Sequence, residues 1–157
     1  MAGEDDRDET VCRAQLEDLG PALLYRLMQL RVDVFVVEQQ CRYRELDGLD
    51  LSTDTTHYWI EVASEPVATL RVLGRGHGAR IGRVATATTH RGHGYARQLM
   101  NAAMSDLGEV DIYLEAQTYL HGWYAGFGFT RAGPEYLEDG IAHVPMLRHA
   151  TQRSGSE

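Results

Sequence analysis

The chain contains no lysine, all 15 of its basic residues being arginine. That absence excludes Walker-type nucleotide hydrolysis, whose phosphate loop needs a lysine, and any cofactor carried as a lysine Schiff base. Cysteine is nearly as scarce: Cys12 and Cys41 are the only two, too few for a disulfide framework and in keeping with a reduced, cytoplasmic protein. No run of about 18 apolar residues offers a membrane span, and the chain begins acidic where a secretory leader would be basic. Positive charge is in deficit, with a formal net charge of −8. Without a basic stripe, nucleic-acid binding has no electrostatic support. His90 and His93 make an H-x-x-H pair, but in a glycine-rich turn with no cysteine or carboxylate beside them, so no metal is expected. A nucleophile elbow for Ser-His-Asp hydrolysis is missing as well.

Half of the net charge lies in residues 1–10, where Glu4, Asp5, Asp6, Asp8 and Glu9 outnumber Arg7. That segment is expected to be a disordered acidic tail, and residues 150–157 a flexible one. Residues 11–149 suffice for one domain with its own core. Their patterning predicts a strand over 11–16, a helix over 21–34 capped by Asp18, and a loop with helical turns over 38–56. Strands follow at 58–63, 67–73 and 79–87, with a turn at Ser64, Glu65 and Pro66, and then a long helix, a strand, a short helix and a closing hairpin.

The most informative segment is 84–107, VATATTHRGHGYARQLMNAAMSDL. Ala96, Leu99, Met100, Ala103, Met104 and Leu107 fall at the i, i+3, i+4, i+7, i+8 and i+11 positions of one helical stripe. A helix opening at Gly94 leaves the amides of Gly92, His93, Gly94 and Tyr95 unpaired, next to the positive end of the helix dipole, which makes a ready site for a phosphate. The tetrapeptide RGHG occurs twice, at 75–78 and 91–94. Only the second copy opens a helix; the first lies between two strand-like runs and reads as a hairpin turn.

With the dinucleotide fingerprint also missing, what the second copy matches is R-x-x-G-x-A, carried by Arg91, Gly94 and Ala96. It resembles the pyrophosphate loop of the GNAT superfamily of acyl-CoA-dependent N-acetyltransferases. A later stretch, IYLEAQTYLHGWYAGFGF over 112–129, is similar to that superfamily's last motif, whose tyrosine lies near the CoA sulfur and falls here on Tyr124. LRVDVFVVEQQCRYRELDGLD over 30–50, with His57 after it, and EDGIAHVPM over 138–146 resemble the ElaA-like branch.

The resemblance implies an α+β fold of three layers, a mixed, mainly antiparallel sheet flanked by helices on both faces. It implies acetyl-CoA as cosubstrate, gripped by Val84, Ala85 and Thr86 through the backbone of the strand and by Arg91, Gly92, His93, Gly94, Tyr95, Ala96 and Arg97 at the loop. Tyr124 would then be the acid for the departing thiolate, and Glu115, on the neighbouring strand, a candidate base. Glu38, Asp47, His57 and His143 are candidates for the acceptor site. Glu38, Glu45, Asp47 and Asp50 together suggest an acidic rim suited to a small cationic amine. A protein lysine or N-terminus as acceptor, or a non-catalytic acyl-CoA sensor, are the alternatives. The expected partners are thus a small-molecule amine and no nucleic acid or membrane, with the protein a monomer or homodimer.

Overall fold

The computed structural model describes residues 10–74 and 78–150. The predicted tails, apart from Thr10 and Ala150, and three residues of the first RGHG copy lie outside that range. Eight strands form one sheet: β1 (Val11–Ala14), β2 (Thr55–Val62), β3 (Glu65–Leu73), β4 (Ala79–Thr86), β5 (Ile112–Gln117), β6 (Thr130–Arg131), β7 (Tyr136–Glu138) and β8 (Ile141–Arg148). Their order is β1-β2-β3-β4-β5-β8-β6, with β7 also on β8. Every pairing is antiparallel except β4 with β5. The helices are α1 (Pro21–Val32), α2 (Tyr95–Leu107) and α3 (His121–Ala125).

Helices cover both faces, as expected. On one face α2 buries Leu99, Met100 and Ala103 completely against Ile81, Ile112 and Leu114 of the sheet; for Leu99 and Met100 that is about 2 kcal/mol each. On the other face Leu27 of α1 packs on Trp59, and Leu30, Val34 and Phe35 pack on Ala85.

Several boundaries differ from the sequence reading. Asp18 lies in a short 3-10 turn and Gly20 caps α1, with Pro21 at the first helical position, where its missing N–H costs nothing. The β2–β3 turn is made by Ala63 and Ser64, both with positive φ, so Glu65 and Pro66 already belong to β3; two left-handed residues give the turn the twist a tight hairpin needs. After Val32 the helix widens into a π-helical turn over Asp33–Glu38, a local irregularity that sequence periodicity does not signal.

Two features of β4 position the site. Its parallel pairing with β5 stops after Ala79↔Ile112 and Arg80↔Tyr113, so from Ile81 onward the strands diverge and that edge of β4 has no strand partner. The β3–β4 register also slips between Thr69 and Arg71, where Arg83 takes φ 52°. This bulge turns Ala85 toward α1, whereas Val84 packs against the main core beneath α2.

Candidate active site

The diverging strands open a cleft of about 930 Å³, reaching from the start of α2 past Tyr124 to the loop after α1, within the size range of small-molecule sites. At one end Gly92 and Gly94 have φ of 83° and 76°, and Gly94 caps α2, its carbonyl accepting from the Gln98 amide at 3.1 Å. Among the described residues the amides of Gly92 through Arg97 make no hydrogen bond to the backbone, as expected of the free donors at a helix start. Val84, Ala85, Thr86, Arg91, Gly92, Gly94, Tyr95, Ala96 and Arg97 all line it. The His93 ring does not; it stacks on Tyr95 at 5.6 Å, leaving only its amide for a ligand.

Arg91 is held on two sides. Its Nε donates to the Thr86 carbonyl at 3.1 Å, and its two terminal nitrogens donate to Glu38 at 2.6 and 2.7 Å. These hydrogen bonds hold the Glu38 carboxyl below its usual range. Glu38, expected beside the acceptor, thus lines the cleft paired with Arg91, near the start of α2.

Tyr124 lies midway along, 7% exposed, its ring edge-on to Trp123 at 4.9 Å and to Phe129 at 6.3 Å. Burial first, and Tyr119 next to it, push its phenol well above the ordinary range. The hydroxyl is thus a proton donor at neutral pH.

Beyond Tyr124 the floor of the cleft is one face of the sheet. Arg80 pairs with Tyr113 on β5, and alternation puts Glu115 on the same face; Gln117 opposes His143, and His143 opposes Tyr136. His143 Nδ1 lies 2.8 Å from the Ile141 carbonyl, and the ring stacks on Tyr136 at 5.7 Å. With Nδ1 donating there, Nε2 is the free ring nitrogen. Burial, then Glu115, pushes the Tyr136 hydroxyl up to about 12. Glu115 is exposed on this floor and lines the cleft, as do Asp47 and His143.

The expected acidic rim does not exist as free charge. Glu45 and Asp50 are buried, at 5% and 7% exposure, and a three-arginine network neutralises them together with Asp47. Arg31, on α1 and 1% exposed, donates to Glu45 Oε1 and Asp50 Oδ1, both at 2.7 Å, and to the Glu45 carbonyl at 3.0 Å. Arg71 grips Asp47 at 2.6 and 2.9 Å and reaches Asp50 at 3.2 Å. Arg83 Nε lies 3.0 Å from Glu45 Oε2, and its guanidinium covers the Tyr43 ring at 4.9 Å. The Arg71 hydrogen bonds pull Asp47 down to about 2, and burial raises Glu45 against the pull of its arginines. The network lashes the 39–54 loop, which forms the wall of the cleft opposite β5, to α1, β3 and β4. The sequence reading missed Arg31, Arg71 and Arg83; the available signal was an arginine inside the apolar run VATLRVL, which a strand tolerates only with a buried partner.

His57, expected beside the acceptor, lies apart from the cleft. It is 2% exposed and sits behind this network, with Nε2 3.9 Å from Asp50 Oδ1, and it is not part of the cleft lining. Burial, helped by Arg31 and Arg71 and opposed by Asp50, lowers its pKa below the ordinary 6.5. A base with a depressed folded pKa stabilises the fold above its unfolded value and loses that contribution as pH falls. Thermal unfolding followed from pH 8 to 5 should therefore show wild type losing stability relative to His57→Gln below about pH 6.5; parallel curves for the two proteins would contradict it.

Among the described residues no group of three His, Cys, Asp or Glu side chains could hold a metal ion, and no helix is long and apolar enough to cross a membrane. Comparison with known proteins agrees with this architecture. A family profile described as "Acetyltransferase (GNAT) domain" matches residues 23–149. A UPF0039 protein of Mycobacterium tuberculosis is 46% identical over 145 residues, covering 89% of this chain and 93% of that one. The crystal structure of Escherichia coli ElaA superposes with a TM-score of 0.84 at 34% identity over 90% of this chain and 100% of that one. A Pseudomonas aeruginosa acyl-CoA N-acyltransferase superposes with a TM-score of 0.82 at 38% identity, over 88% and 99% of the two chains. A phosphate-ready loop at the head of α2, a parallel strand pair that parts beside it and a profile match spanning most of the sequence have one common explanation: the chain belongs to the GNAT acetyltransferase family, and within it to the ElaA-like proteins.

Proposed function

We propose that the protein transfers the acetyl group of acetyl-CoA to a primary amine by direct attack, with Tyr124 as general acid. The observation that carries this reading is the burial of Tyr124 in the lining of the cleft between the parted strands, which favours its neutral phenol. The residues present fit acetyl-CoA. The unpaired amides from Gly92 to Arg97 suit its pyrophosphate, and the free edge of β4 around Val84, Ala85 and Thr86 offers backbone groups to its pantetheine amides.

In the reaction the amine nitrogen bonds to the thioester carbonyl carbon, whose π electrons move onto oxygen. The oxyanion is stabilised by a backbone amide near Ala85. Collapse breaks the C–S bond, and Tyr124 gives its proton to the departing sulfur; the resulting phenolate, disfavoured by burial, regains a proton from solvent. The attacking nitrogen must lose two protons. An amine of ordinary pKa near 10.4 is about 3.4 units from neutrality at pH 7, roughly 4.6 kcal/mol; Glu115, on the floor of the cleft, takes that first proton directly or through water before attack, and the second, left on nitrogen in the tetrahedral intermediate, passes to solvent.

The phosphate loop has its own test. A Cβ added to Gly94 meets no protein atom within 4 Å, so it would stand in the space assigned to the pyrophosphate; the left-handed φ also strains any side chain there, by about 1–2 kcal/mol. Gly94→Val is expected to weaken acetyl-CoA binding at least 10-fold by calorimetry, on the order of 1.4 kcal/mol. At Gly78 the φ is not left-handed and a Cβ makes an ordinary 3.6 Å contact with the Asp111 carbonyl. Gly78→Val should keep its affinity within a few-fold, and the reverse ranking would move the phosphate site elsewhere.

A further inference from the structure

Once the buried network is accounted for, the charges that remain along the cleft define the chemistry of the acceptor. Glu45, Asp47 and Asp50 are committed to Arg31, Arg71 and Arg83, and Glu38 to Arg91. Arg97, at the head of α2, lines the cleft with its guanidinium over the Phe127 ring at 5.7 Å, and two further arginines line it, Arg44 on the loop after α1 and Arg80 on β4. Among the described residues neither guanidinium makes an ion pair or a hydrogen bond. Glu115 and Glu138 also line the cleft and, like Arg80, act on the Tyr136 hydroxyl, yet no ion pair forms between Arg80 and either of them. A cation and a carboxylate thus stand unpaired on one floor. Arg80 is level with Tyr113, and Glu115 is two residues further along the same face, about 6–7 Å.

We propose that the acceptor is an amine that also carries a carboxylate, a molecule of the amino-acid class. This rests on the acetyl-transfer reading above. The guanidinium of Arg80 takes the carboxylate as a planar two-point donor, and Arg44 adds positive charge from the opposite wall. The amine then lies toward Glu115 and the thioester. A polyamine or other polycation would instead bring its extra charges toward Arg44 and Arg80, with Glu138 the one lining carboxylate besides Glu115 left to receive them, and like charges brought together inside a cleft disfavour such a partner. The same reading reverses the expectation of a cationic acceptor, whose basis was a rim of carboxylates that proves to be neutralised from within.

Matched pairs of acceptors that differ only in the carboxylate give the test: phenylalanine against phenethylamine, lysine against cadaverine, β-alanine against ethylamine. Acetyl transfer from acetyl-CoA is followed by free-thiol release and by mass spectrometry of the product, with the full-length protein. The carboxylated member of at least one pair is expected to exceed its partner in kcat/KM by 10-fold or more, mainly through a lower KM. In Arg80→Gln that ratio should fall to within about 3-fold of unity, and in Arg44→Gln it should fall in the same direction. Both side chains are exposed, and unchanged thermal unfolding with retained acetyl-CoA affinity confirms that the variants are folded. Higher kcat/KM for the decarboxylated members, or a ratio that Arg80→Gln leaves intact, would overturn the proposal alone. Acetyl-CoA binding without transfer to any amine of either set would overturn the transferase reading and this proposal with it.

Discussion

Replacing Tyr124 by phenylalanine is expected to lower kcat by about 10²-fold or more, roughly 2.7 kcal/mol of transition-state stabilisation. The ring of Tyr124 supplies the packing, edge-on to Trp123 and Phe129, and phenylalanine keeps it. Only the hydroxyl is lost, which in the proposed mechanism acts once charge develops on the sulfur. Acetyl-CoA affinity should therefore stay within a few-fold of wild type and KM should change little, so the loss falls on kcat. Because burial raises the phenol far above its ordinary range, the acid remains protonated throughout the working pH range and Tyr124 itself contributes no falling limb below about pH 10. Steady-state kinetics on both proteins over pH 6 to 9 would check this. A phenylalanine variant that turns over at the wild-type rate removes Tyr124 from the mechanism.

The largest effect on stability is expected at Arg31. Its guanidinium is 1% exposed and holds two buried carboxylates, those of Glu45 and Asp50. In Arg31→Leu both lose their closest cation, and Arg71 and Arg83 reach each of them only at 3.0 to 3.2 Å. Removing one partner from a buried ion pair typically costs 3–5 kcal/mol, because the remaining charge cannot be hydrated. For a chain of this size that corresponds to a Tm lower by on the order of 10 °C. The urea midpoint should shift with little change in slope. Arg31→Lys should rescue only part of the loss, since one ammonium cannot make the four donor contacts that the planar guanidinium makes here. An Arg31→Leu protein as stable as wild type would mean that the network is not a structural tether of the 39–54 loop.

The glycine turn that opens α2 and the aromatic segment around Tyr124 were legible in the chain because their signals are local. A helix stripe repeats every three or four residues, a glycine cap sits next to the turn it opens, and Tyr124 is embedded in a short aromatic motif. Each depends on neighbours in sequence, so reading the letters in order suffices. The same holds for most strands and for α1, where the differences at Asp18, Ser64 and Val34 are shifts of a few residues at element ends.

What one sequence determined here, then, is the sheet-and-helix order, the glycine-capped turn at the head of α2 and the family that both resemble. The charge of the acceptor end was decided only in three dimensions. Glu45, Asp47 and Asp50 look like a cluster of free acids when read along the loop, because the arginines that cancel them stand 14 to 38 residues away on α1, β3 and β4. His57 looks like a site residue until β2 turns it beneath that network. Whether a charged side chain faces a ligand or a neighbour depends on which strands pair, in what register, and how deeply the group is buried. Those are long-range facts, and an electrostatic site is built from them: the field in the cleft is what remains after distant partners have met.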